Sequence, residues 1–163
     1  MILNKEGKKE MKHRIKSGAI ITDNNKILLV KHVNPKTKFE YWVPPGGGVE
    51  NIDKSIIETA KRETFEETGL IIELENNPKF IREYEDIERH VLSIEIFFKA
   101  ISWDGEISIK NLRDGDEDKE YIQEARWLSF ADMDEINVYP VELKEKYREE
   151  MKLKYLGRFT GSE

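Results

Sequence analysis

The sequence contains no cysteine, which excludes disulfides and thiolate metal sites and fits a reducing compartment. It also has no apolar run approaching the ~18–20 residues that a membrane-spanning helix needs. The start, MILNKEGKKEMKHR, is polar after its third residue and has no apolar core of signal-peptide length. A basic excess is missing too: 27 Lys and Arg stand against 33 Asp and Glu, for a net charge of -6. That balance disfavours nucleic acid or an anionic membrane as a partner. The three histidines, His13, His32 and His90, lack metal-ligand spacing. A soluble, cytoplasmic chain is therefore expected.

What is present is a chain of 163 residues, 38% hydrophobic and 37% charged, enough for one domain with one core. Residues 1–11 are rich in Lys and Glu without apolar periodicity and are expected to form a flexible arm, with a single domain over 12–157 and a short tail over 158–163. SGAIIT and KILLVKHV, separated by Asp23, Asn24 and Asn25, predict a hairpin, because Asn and Asp tolerate the positive φ of tight turns. In YWVPPGGGVE, two prolines and three glycines exclude a continuing helix or a regular central strand. Residues 54–68 read as a helix with Ser55 as its cap and Gly69 as its stop. LIIEL, KFIREYED, HVLSIEIFFKAIS, EISI and ARWLSF read as strands, and 110–120 as a long charged loop. A helix start near Ala131 and a last amphipathic helix after Pro140 complete the pattern.

The helix carries three glutamates, Glu63, Glu66 and Glu67, in its last turns. Like charges at this spacing repel, and negative charge at a helix C-terminus opposes the macrodipole, each by a few tenths of a kcal/mol. At about 100° per residue the three share one arc that borders the apolar side holding Ile56 and Ala60. Crowded carboxylates at a desolvated boundary need protonation, cationic partners or a metal. A solvated face balanced by Lys61 and Arg62 is the other reading of the same residues. The triple-glycine loop just upstream favours a site, since glycines let a backbone approach a ligand or a helix closely.

GGGVE followed by a helix ending in RETFEETGL resembles the Nudix hydrolase signature over about residues 47–70. The resemblance implies an α/β fold, a Nudix-type α/β/α sandwich with a mixed central β-sheet. It further implies hydrolysis of a nucleoside diphosphate linked to another moiety, with Mg²⁺ (or Mn²⁺) held by Glu63, Glu66 and Glu67 together with the motif glycine, Gly47. Arg62 would orient the helix and its carboxylates. Two registers are open in the glycine loop. Counting from Gly48 puts Lys54 where the signature has an early glutamate, whereas counting from Gly47 puts Asp53 there with one extra residue before Arg62. The second keeps an acid to pair with Arg62. Thr64 stands where an apolar residue is expected and can fill that place with its methyl group.

Cleaving a pyrophosphate requires neutralised phosphate oxygens and an aimed water. Glu63 and Glu67 are the expected main ligands, and Glu66 is either a third ligand or the base. Family members often place the base in a late loop, where Glu117, Glu120 and Glu124 are available and Glu120 is the choice. The resemblance to ADP-ribose pyrophosphatase-like members suggests an ADP-ribose-like nucleotide as substrate. Tyr41, Trp42, Tyr84, Phe97 and Phe98 offer stacking surfaces, although each also suits the core. Arg82 and Arg89 are either phosphate clamps or surface charges. A nucleotide-binding regulatory domain without turnover is the competing reading. Homodimerisation, as in many family members, is open to the chain through its arm and exposed strands.

Overall fold

The computed structural model describes residues 7, 10–115, 119–144 and 154–161. Strands β1 (Lys12–Ile20), β2 (Thr22–Asp23) and β3 (Lys26–Val33) open the fold. The hairpin between β2 and β3 turns at Asn24 and Asn25, whose φ values of 44° and 64° are those Asn adopts at low cost. Strands β4 (Glu40–Val43) and β5 (Gly46–Gly48) flank the two prolines, and helix α1 runs over Ile56–Thr68. Two long strands follow, β6 (Ile71–Asp86) and β7 (Val91–Asp104). Then come β8 (Ile122–Ser129), a short α2 (Phe130–Asp134), a 3₁₀ turn over Val141–Lys144 and β9 (Lys154–Gly161).

The strands form a mixed five-stranded sheet, β5-β1-β7-β6-β9, and a smaller sheet of β2, β3 and β4 with β8 on the other edge of β3. In the large sheet β1–β7 and β6–β9 are parallel, while β1–β5 and β6–β7 are antiparallel. Side-chain alternation splits the interior into two cores. Ala19, Ile21, Leu28 and Phe98 pack with Ala60 of α1, whereas Ile20, Ile27, Leu29 and Phe97 pack with Met133 of α2 and Leu143 of the 3₁₀ turn. Helical elements thus cover opposite sides, which is the expected α/β/α layering. No helix among the described residues is long and apolar enough to cross a membrane.

Two strand expectations need correction. LIIEL and KFIREYED belong to one strand, β6, whose register against β7 shifts around Pro78, where the ring removes a ladder donor. EISI at 106–109 is not a strand, because its backbone is laid on the end of α1: the Ser108 N–H donates to Thr68 O at 2.8 Å. The last helix expected after Pro140 falls on 145–153, which lie outside the described residues, and Val141–Lys144 form the 3₁₀ turn. The tail boundary at 157 falls inside β9, which pairs in parallel with β6 from Phe80↔Lys154 to Asp86↔Gly161. The expected N-terminal arm lies outside the described residues apart from Gly7 and Glu10, and β1 begins at Lys12.

Candidate active site

Helix α1 begins as its sequence dictates, with Ser55 accepting from Glu58 N, a cap worth about 1 kcal/mol. It ends at Gly69, whose φ of 77° lets its N–H return to Phe65 O. Its buried face is unusually polar: Thr59, Ala60, Glu63, Thr64, Glu66, Glu67 and Thr68. Two threonine hydroxyls are satisfied inside the helix, Thr64 donating to Ala60 O at 2.7 Å and Thr68 to Thr64 O at 2.6 Å. Thr64, fully buried, therefore serves where an apolar residue is expected.

The glycine loop presses onto this face. A Cβ on Gly47 would stand 2.4 Å from the Glu63 carboxyl carbon and 2.6 Å from both its oxygens. The neighbouring Gly46 N–H donates to Glu67 Oε2 at 2.9 Å. Glu67 is 2% exposed, and Glu63 and Glu66 are 7% exposed. The reading of these glutamates as a solvated helix face is overturned by that burial.

Two arginines compensate Glu63 and Glu66. Arg62 makes a fork to Asp53, Nε to Oδ1 at 2.8 Å and Nη2 to Oδ2 at 2.9 Å. It also donates to Glu63 Oε1 at 2.8 Å, Glu66 Oε2 at 3.3 Å and Gly48 O at 3.1 Å. The Asp53 bond pushes the Arg62 guanidinium upward, and that guanidinium in turn holds the Asp53 carboxyl down to about 2. Of the two registers, the one counted from Gly47 is the arrangement in which an acid meets Arg62. Arg62 thus bonds three carboxylates at once.

The second guanidinium is Arg113, which sequence reasoning passed over. Its Nε lies 2.9 Å from Glu66 Oε1, and its Nη2 lies 2.5 Å from Glu50 Oε1. The Arg113 hydrogen bond holds the Glu50 carboxyl below its usual range. No spacing rule connects residue 113 to residues 50 and 66. The only signal was its place in a charged loop.

The donors around α1 are all oxygens, and Glu50, Asp53, Glu63, Glu66 and Glu67 outnumber the arginines bonded to them. That chemistry fits a hard divalent cation. As they stand, however, no three acidic or histidine side chains among the described residues form a ready metal-holding group; Glu50, Glu63 and Glu66 are paired with Arg62 and Arg113 instead.

Beside this face lies an open cleft lined by Gly46, Gly47, Lys16, Tyr41 and Tyr139, with the Arg82–Glu95 pair. The Arg82 Nε donates to Glu95 Oε2 within a buried ion pair. Tyr41 stacks on His32 at 5.1 Å and meets Tyr139 edge-on at 6.2 Å. Of the expected substrate-binding residues, the structure brings Tyr41 and Arg82 to the cleft. Trp42 is not there: it packs in the core with Arg126 5.1 Å over its ring. Tyr84 is not a lining residue either, and has Arg82 5.7 Å over its ring. Phe98 is core, whereas Phe97 reaches both core and cleft. Arg89 donates to the Tyr121 hydroxyl at 3.0 Å on the surface.

Glu120 is exposed, and no hydrogen bond or ion pair ties it to the α1 carboxylates among the described residues. Glu124 pairs with Arg126 on β8. Glu117 lies outside the described residues.

The NUDIX domain family model matches residues 12–150. The fold is similar to that of a mutator MutT protein from Bacillus halodurans, at 24% identity and TM-score 0.65, covering 91% of this chain and 90% of that one. It is also similar to a MutT NUDIX hydrolase from Burkholderia pseudomallei, at 19% identity and TM-score 0.65, covering 84% and 99%. An ADP-ribose pyrophosphatase from Streptococcus suis aligns at 19% identity and TM-score 0.54, covering 87% and 98%. Comparison with curated proteins found no match.

Proposed function

Since the chain belongs to the Nudix family of pyrophosphohydrolases, we propose that it hydrolyses the diphosphate linkage of a nucleoside diphosphate derivative of the ADP-ribose type. The observation that carries this reading is the buried glutamate face of α1 held against the Gly46–Gly47 backbone, with an aromatic and cationic cleft beside it. Glu63, Glu66 and Glu67, with the Gly47 backbone, are the groups that would hold Mg²⁺ or Mn²⁺. When bound, such an ion neutralises phosphate oxygens and lowers the pKa of an attacking water.

The chain's own residues supply the remaining parts. Arg62 locks the glycine loop to α1 by bonding Asp53, Gly48 O and two of the glutamates, so the carboxylates are ordered before substrate arrives. Lys16 and Arg82 supply positive charge to the cleft for the phosphates, and Tyr41 a surface for the base. Glu66 or Glu120 receives the proton of the water. Substitution separates them, because a base is needed only during turnover whereas a ligand is also needed for metal affinity.

One structural relative is an ADP-ribose pyrophosphatase, consistent with the substrate class proposed. The decisive test is a panel of ADP-ribose, dinucleoside polyphosphates and nucleoside triphosphates with Mg²⁺ in ¹⁸O-labelled water, read by product mass. Nucleoside monophosphate release from ADP-ribose supports the proposal. Binding without release from any member would favour the competing regulatory reading.

A further inference from the structure

The loop after β7 is tied to the C-terminal end of α1 at several points. Ser108 N donates to Thr68 O at 2.8 Å and Asn111 Nδ2 to Phe65 O at 3.3 Å. Close approach of the loop to Gly69 adds to this, since a Cβ there would meet Glu106 O at 2.7 Å. The first contact satisfies a carbonyl that a helix end otherwise leaves open, and together they deliver Arg113 to the glutamate face.

Arg113 is unlike Arg62 in how it is held. The Arg62 side chain is 15% exposed and forked onto a nearly buried aspartate, whereas the Arg113 side chain is 42% exposed and reaches in from solvent to Glu66 at 9%. Its other hold, Glu50, is 39% exposed. A half-exposed ion pair is weak and exchangeable. Glu66 also belongs to the carboxylates proposed above to hold a divalent cation, and a divalent cation on it would repel the Arg113 guanidinium.

We propose that Arg113 is a further substrate-binding residue: it neutralises Glu66 while the site holds no metal, and turns to the phosphate oxygens of the nucleotide once Glu66 is taken. Glu50 is the tether that makes the exchange possible. It accepts from Nη2 at 2.5 Å and from Nη1 at 3.3 Å, so the guanidinium stays beside the site when the Nε bond to Glu66 is lost. The planar fork then presents Nε–H and the outer N–H groups to a phosphate. The chemical class it takes is a phosphate or diphosphate group. This inference rests on the hydrolase reading above.

The test compares the full-length wild type with Arg113→Ala and Arg113→Lys by calorimetry. Mn²⁺ is titrated first, then inorganic pyrophosphate at saturating Mn²⁺. Loss of the competing guanidinium is expected to tighten Mn²⁺ binding to Arg113→Ala by about fivefold and to weaken pyrophosphate binding by about tenfold. Arg113→Lys keeps the charge but not the fork, so its Mn²⁺ affinity stays near that of wild type while pyrophosphate binding still weakens. Unchanged Mn²⁺ and pyrophosphate affinities in Arg113→Ala, or a parallel weakening of both, overturn the exchange and leave the hydrolase reading intact. Failure of the wild type to bind Mn²⁺ overturns both.

Discussion

Gly47 and Glu63 are in contact so close that no side chain fits between them: a Cβ on Gly47 would lie 2.4 Å from the Glu63 carboxyl carbon. The obstructing atoms are the far end of a flexible side chain, so Gly47→Ala is expected to fold and to displace the carboxylate instead. Turnover should fall by about tenfold or more, with little change in Tm. Gly46→Ala meets backbone, Gly18 Cα at 2.5 Å and Ser17 O at 2.6 Å, and should lower Tm markedly. Thermal melts and initial rates on both variants check this, and equal stability losses would contradict it.

Glu67→Gln tests the metal-holding face. Glu67 is 2% exposed and accepts from Gly46 N–H; the amide keeps that acceptor but not the charge. A loss of about 100-fold or more in kcat at saturating Mg²⁺ is expected, in line with removing a key electrostatic group. Full activity in this variant would sink the metal-site proposal.

Glu66→Gln and Glu120→Gln assign the proton acceptor. If Glu120 is the base, its glutamine variant loses about 10²-fold or more in kcat while calorimetric Mn²⁺ affinity is unchanged. If Glu66 is a ligand, Glu66→Gln weakens Mn²⁺ binding as well as turnover. An unaffected rate in Glu120→Gln removes it from the mechanism.

Acid should unpick the Arg62–Asp53 lock in a defined window. Hydrogen bonding to Arg62 lowers the Asp53 carboxyl from 3.8 to about 2. Its contribution is therefore complete above the ordinary carboxylate value and is lost as pH falls through about 2. With the Asp53 side chain 3% exposed, Asp53→Asn is expected to cost about 2 kcal/mol at neutral pH. That difference should shrink as the wild-type aspartate protonates. Urea unfolding of both proteins across this range measures it; curves that stay parallel would assign the acid transition to other groups.

The Arg82–Glu95 pair joins the core to the cleft. Its side chains are 7% and 10% exposed, so Glu95→Ala removes the carboxylate partner of a buried guanidinium and is expected to cost about 3–5 kcal/mol. Replacing both, as Arg82→Met with Glu95→Leu, should recover most of that stability while KM stays raised, because the cleft has lost the Arg82 guanidinium. A double variant with normal KM would exclude Arg82 from substrate binding.

RETFEETGL shows how far local pattern reaches. Helix ends are set by residues one turn apart, so Ser55 and Gly69 were readable as cap and stop, and the Asn24–Asn25 turn likewise. Alternation in β1, β3 and β7 told which residues were apolar, but not that opposite faces feed two cores. Tyr41 and Trp42 are adjacent aromatics of one strand, yet Tyr41 lines the cleft and Trp42 does not. EISI has strand composition, but the open carbonyls of α1 claim its backbone.

By itself the sequence determined the helix, its caps and the glutamates on one face, because these depend on contacts within a few residues. Only the tertiary structure decided what neutralises those glutamates. Asp53 reaches Arg62 across nine residues, whereas Arg113 reaches Glu50 across 63. That second meeting follows from where β7 ends and how the next loop docks on α1. Charge pairing at such separation is set by the packing of whole elements, and no local spacing encodes it.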